Sequence, residues 1–196
     1  MDIKLLVKIT SRAWALDILA QMHRGVPGRQ ATLIAATGAG RTAFGASLAH
    51  LMELGVVMRN PGHGHPLRPE FVLTEQGVVA AAKADEILRA AEESDTKLLR
   101  KSWTVPVLAL ATRPQRFSGF KAGLGAITDR ALSTSLQKLE AQDWVTREID
   151  LSERAPFPTY QAVNAGARIS QVIGLVGSGE AGTTDPKVFC ARLRVS

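Results

Sequence analysis

A single cysteine, Cys190, excludes an intrachain disulfide and any multi-cysteine metal site. It reads as an incidental thiol near the C-terminus. Histidine is almost as scarce, with four in the chain, and only His63 and His65 stand close enough together to suggest a ligand pair. No further His or Cys lies near them in sequence, and Zn²⁺ generally takes three or four protein ligands, so no metal is expected there. No apolar run approaches the roughly 20 residues that span a bilayer. Residues 1–10 mix Asp2, Lys4 and Lys8 into their apolar positions and offer no small-residue cleavage site, unlike a signal peptide. A cytoplasmic protein without a membrane partner is the expectation.

What is present is ordinary globular material with a positive bias. Hydrophobic residues make up 45% of the 196, enough for one substantial domain or two small ones. Lys and Arg total 24 against 18 acidic residues, a formal charge of +6. That surplus favours a polyanionic partner through phosphate neutralisation.

Residues 36–45, ATGAGRTAFG, first suggest a cofactor loop, because Gly38-x-Gly40-x-x-Ala43 satisfies a relaxed dinucleotide fingerprint. The rest of that fold is missing. The segment where a second strand would end, 56–60, carries no carboxylate for a ribose. Short-chain dehydrogenases resemble the stretch most closely, yet their later loop glycines are Thr42 and Phe44 here. Their Tyr-x-x-x-Lys pair fails as well: the lone tyrosine, Tyr160, is followed four residues later by Asn164. A P-loop would need glycine at Ala35 and lysine at Arg41. The sequence does not read as an enzyme, and no cofactor is expected.

Self-similarity gives a different organisation. Trp14-Ala-Leu-Asp-Ile-Leu-Ala20 parallels Trp103-Thr-Val-Pro-Val-Leu-Ala109. Phe44-x-x-x-Leu48-x-x-Leu51 parallels Leu132-x-x-x-Leu136-x-x-Leu139, and 71–77 parallels 160–166. The three blocks keep their order at offsets of 88 or 89 residues, which argues for a tandem duplication. Each copy predicts a helix from its tryptophan, a short helix (31–36 and 118–122), a Gly-containing turn (37–40 and 123–126) and a longer helix with a 3.6-residue apolar period. Two short strands follow, at 56–59 and 70–73 in one copy and 144–149 and 159–163 in the other, around tips rich in Pro and Gly. The predicted fold is mainly α with short β-hairpin wings: two tandem winged helix-turn-helix modules forming a pseudo-dimer. The boundaries are 1–80 for the first module, 81–100 for a connecting helix, 101–175 for the second module, and 176–196 for a flexible tail with a possible terminal strand.

The second copy resembles the HxlR-type, MarR-like winged-helix transcriptional regulators. The resemblance rests on Trp103, Arg113-Pro114-x-Arg116-Phe117-Ser118, Ile127-Thr128-Asp129-Arg130-Ala131-Leu132-Ser133, Leu136-x-x-Leu139-Glu140, and the wing end at Tyr160, Val163 and Gly166. The first copy is similar more loosely, chiefly through Pro66-Leu67-Arg68-Pro69-Glu70-Phe71-x-Leu73-Thr74-x-x-Gly77. The family's usual chain holds one such module and pairs with a second chain; two fused modules would mimic that dimer. Whether the chain stays a monomeric pseudo-dimer or pairs again is open.

The resemblance implies sequence-specific binding of double-stranded DNA, as a repressor or an effector-responsive switch, with the longer helix of each copy in a major groove. With the leucine-type face turned inward, Arg41, Thr42 and His50 of the first copy are candidate contacts. In the second copy they are Thr128, Arg130, Ser133, Thr134, Gln137 and Lys138. Arg can pair with guanine, Gln with adenine, and Ser or Thr with bases or phosphates. Candidate wing and backbone contacts are Arg29, His63, His65, Arg68, Arg116 and Arg154. A small-molecule effector would suit a cleft between the modules; Trp14, Trp103 and Trp144 are candidates to line it, core packing being the competing role. Residues 78–99, without Gly or Pro, predict one long helix or a helix pair, whose Val79, Ala82, Ile87, Leu88, Leu98 and Leu99 would hold the pseudo-dimer together. The competing function is a winged-helix interaction scaffold that binds proteins and no specific DNA.

Overall fold

The structure is a computed structural model that describes residues 2–60, 69–92, 95–152 and 154–174. Its first helix, α1 (Ile3–Thr10), lies ahead of Trp14, where the sequence predicts helical structure to begin. Lys4 and Lys8 line one side while Leu6, Ile9 and Thr10 are buried on the other. Two turns of helix are marginal alone, so α1 exists because it packs, chiefly on α7.

Then come α2 (Ala15–His23), α3 (Gln30–Thr37) and α4 (Arg41–Glu53). α3 stops at Gly38, whose φ of 68° is left-handed and therefore suited to glycine. Gly40 is extended and acts as the N-cap of α4. α4 buries Phe44, Leu48 and Leu51, the face its periodicity predicts. Strands β1 (Val57–Arg59) and β2 (Phe71–Leu73) pair antiparallel. α5 (Glu75–Ala90) starts where the Thr74 hydroxyl accepts the Gly77 amide at 3.0 Å. The boundary expected after residue 80 thus falls inside a helix. The connection is a helix pair, α5 and the single turn α6 (Thr96–Leu99). α5 buries Ala80, Ala81, Ala84 and Ile87, which leaves Val79 60% exposed and outside the interface proposed for it.

The second half continues with α7 (Thr104–Leu110), β3 (Gln115–Arg116), α8 (Phe117–Leu124), α9 (Asp129–Ala141), β4 (Val145–Asp150), β5 (Phe157–Ala162) and α10 (Asn164–Ile173). Pro106 sits in the first turn of α7, where no intrahelical partner awaits its missing N–H. The three strands form an antiparallel sheet ordered β3-β5-β4. The second half of the chain is thus mainly helical with a small antiparallel sheet, as a winged helix requires.

Helix, helix, helix, hairpin, helix occurs in both halves, and the turns between these elements share their hydrogen bonds. The Val56 amide reaches the Leu51 carbonyl at 3.1 Å, and the Trp144 amide reaches that of Leu139 at 2.9 Å. The hairpins close with Thr74 N–H to Val56 O at 3.1 Å and Val163 N–H to Trp144 O at 2.9 Å. Arg29 bridges Glu70 as Arg116 pairs with Thr159. The first half thus has a single bridge where the second has a third strand.

α2 packs on α5 and α7 on α10, while α5 against α10 and α1 against α7 join the halves. Lys83 adds a hydrogen bond from Nζ to the Val172 carbonyl at 2.8 Å. A second tie is Arg100, which meets Asp17 at 3.0 Å and lies 3.8 Å above the Trp14 ring. The Asp17 side chain is only 12% exposed, so losing its guanidinium strands a largely dehydrated carboxylate. Arg100→Ala is expected to cost about 2 kcal/mol in urea denaturation, with part recovered by adding Asp17→Asn. Among the described residues no helix is long and apolar enough to cross a membrane.

Candidate nucleic-acid interface

The best-developed polar surface follows from how α9 begins. The Thr128 hydroxyl accepts the Ala131 amide at 3.2 Å, and Asp129 adds a negative charge at the positive end of the helix. Lys121 neutralises Asp129 across the turn from α8. Thr128, proposed as a contact, is exposed but spends its oxygen on this cap. Leu132, Leu136 and Leu139 are buried at successive turns, which turns Arg130, Ser133, Thr134, Gln137 and Lys138 to solvent.

Beside this face lies an open cleft of about 370 Å³. One wall is Lys101, Ser102 and Trp103 at the start of α7; the other includes Thr128, Arg130, Thr134 and Lys138. Ser135 also borders it, but its hydroxyl is returned to the Ala131 carbonyl at 2.8 Å. Lys101, Arg130 and Lys138 form no ion pair with a described residue, so the cleft has a net positive lining. Its chemistry suits an anionic ligand, with hydroxyls and one half-buried aromatic among the cations. Lys101 and Ser102 join the contacts expected from sequence. The signal was the basic pair Arg100-Lys101 before Trp103, but its two members diverge: Arg100 turns back to Asp17 while Lys101 faces the cleft. Of the other tryptophans, Trp144 is 2% exposed in the core and Trp14 lies beneath Arg100. This cleft lies within the second half, not between the halves.

α4 presents a different face. Arg41 and Thr42 are exposed in its first turn, followed on the outside by Ala43, Ala46 and Ala49. His50 is a correction to the outward placement expected for it. Its Nε2 donates to the Lys8 carbonyl at 2.8 Å and lies 3.1 Å from the Ser11 hydroxyl, so the ring is drawn onto the end of α1. A carbonyl only accepts, which places the ring proton on Nε2.

The wing candidates divide by position. Arg29 and Arg116 are exposed, but each is the N-cap of a short helix and pairs with the far hairpin strand, so both stand at the wing root. The Arg116 guanidinium is stacked 3.4 Å above the Phe157 ring. Arg154 is exposed between β4 and β5. His63, His65 and Arg68 lie outside the described residues. At the second wing tip, hydrogen bonds from the Ser152 hydroxyl and amide hold the Asp150 carboxyl below its ordinary 3.8, helped by the Arg116 charge. A lowered carboxyl stabilises the turn above the unfolded value and loses that contribution as pH falls through the folded one. Ser152→Ala should therefore raise the Asp150 midpoint in an NMR titration.

Tyr160, too isolated for dehydrogenase chemistry, packs edge-on to Phe120 with ring centroids 6.4 Å apart. The stretch 36–45 is a left-handed turn and the first turns of α4.

Residues 98–179 match the family model of an HxlR-like helix-turn-helix. The match takes in α7 through α10, the cleft and the exposed face of α9, and makes this part of the chain similar to DNA-binding transcription regulators. Comparison with curated proteins gives no match.

Proposed function

We propose that the chain is a sequence-specific, non-catalytic transcriptional regulator, a tandem duplication of the winged helix-turn-helix whose halves act on duplex DNA as a pseudo-dimer. The observation that carries it is the solvent face of α9, with Arg130, Ser133, Thr134, Gln137 and Lys138 side by side next to a cationic cleft. It lies in the segment that matches the helix-turn-helix model. Guanidinium and amide groups can read purine edges, and Lys101 and Lys138 can meet phosphates on either side. The repeated carbonyl contacts at Val56 and Trp144 support duplication. Repression or effector-dependent switching is taken over from the resemblance, and the effector has no assigned site.

The test is anisotropy titration of the whole protein on the duplex upstream of its own coding sequence and on random duplex, across salt concentrations. Selective binding is expected, with log affinity falling against log salt at a slope steeper than about −2. Lys138→Ala should flatten that slope by about 1 on both duplexes. Absence of binding at low salt would favour the protein-scaffold function instead.

A further inference from the structure

The two halves present unequal surfaces at equivalent positions. Lys138 stands 88 residues after His50, Thr134 after Ala46 and Gln137 after Ala49 at that same offset, and Arg100 stands 89 after Ser11. In the second half these positions leave an open cationic cleft. In the first, His50 is bonded to Lys8 and Ser11 at the end of α1.

The difference has a structural cause. α1 is a full helix that ends beside α4, and its last turn supplies the acceptor that holds His50. Its counterpart α6 is a single turn, and the arginine after it is drawn across to Asp17 and Trp14 in the other half. Nothing equivalent therefore bonds Lys138 among the described residues.

We infer that, of the two long helices, α9 carries base selectivity, while α4 places the protein on DNA without reading it. The inference rests on the DNA-binding function proposed above. After Arg41 and Thr42 the exposed side of α4 is Ala43, Ala46 and Ala49, which can neither donate to nor accept from a base edge, until Glu53 in the last turn, away from the helix end that reaches base edges. Arg41 and Thr42 remain in the first turn, where at the offset of 88 residues Thr42 stands in place of Arg130, so α4 lacks the guanidinium that α9 has there and offers a hydroxyl that serves phosphates and bases alike. Through α5 on α10 and α1 on α7, the first half would fix the angle at which α9 is presented.

Two double variants of the full-length chain separate the halves, each made at exposed positions that leave the core intact. Affinity is measured for the preferred duplex, selected from a random pool by the unaltered protein, and for random duplex. Ser133→Ala with Gln137→Ala is expected to lower the specific-to-random ratio at least 30-fold. Arg41→Ala with Thr42→Ala should weaken both duplexes together and leave the ratio within threefold. A tenfold or greater fall in the ratio with the Arg41/Thr42 pair overturns the inference while the regulator function stands. A ratio unmoved by the Ser133/Gln137 pair also overturns it. If the unaltered protein selects no duplex, both the function and the inference fall.

Discussion

Alanine at Gly77 or at Gly166 is expected to lower the melting temperature of the chain by about 10 °C, which corresponds to roughly 3 kcal/mol for a protein of this size. A Cβ at Gly77 would lie 1.8 Å from the Val56 carbonyl oxygen, and one at Gly166 would lie 2.1 Å from that of Trp144. Neither oxygen can retreat freely. Each accepts the amide that closes its hairpin, from Thr74 in one half and Val163 in the other. Moving the carbonyl breaks that bond, and moving the helix opens the packing of α2 on α5 or of α7 on α10. Gly45→Ala provides the control. It lies inside α4, its new Cβ would meet nothing within 4 Å, and alanine costs a helix less than glycine. That variant should gain about 0.5–1 kcal/mol. Thermal melts followed by circular dichroism decide the matter: unaffected stability in Gly77→Ala or Gly166→Ala would mean that the helix and hairpin are not pressed together there.

Those two glycines illustrate how far the sequence was legible. Their spacing of 89 residues was visible as part of a repeat, together with the tryptophans and the spaced leucines. Periodicity located α4 and α9 because each has a strict buried stripe, and Gly and Pro located the turns. The reason for the glycines was not visible, since it is a contact with backbone far away in sequence. The same limit applies to α1, whose two turns carry too little local signal and depend on α7. It applies again to His50 and Arg100. By spacing alone His50 belongs outside, yet a carbonyl from α1 takes its ring. Arg100 and Lys101 look alike in sequence, and only the juxtaposition of the halves separates an ion-pairing residue from one lining a cleft. Helical phase decides which residues face away from their own core; it carries no information about what another element lays over them.

That distinction sets the largest expected change in binding, the loss of Arg130. The residue is exposed in the first turn of α9, where a helix-turn-helix brings side chains to base edges, and no described anion competes for its guanidinium. Arg130→Ala should weaken the preferred duplex by roughly 5- to 150-fold, the range of about 1–3 kcal/mol for one base-reading arginine. Random duplex should weaken far less, because only a phosphate-type attraction is lost there. His50→Ala is expected to do the reverse. It removes the contacts to Lys8 and Ser11, so the melting temperature falls by a few degrees while affinity for the preferred duplex stays within about twofold. The two variants differ in which observable moves, so a general loss of folding cannot imitate both results. Equal losses of affinity, or a larger one for His50→Ala, would remove α9 from the centre of recognition and return α4 to it.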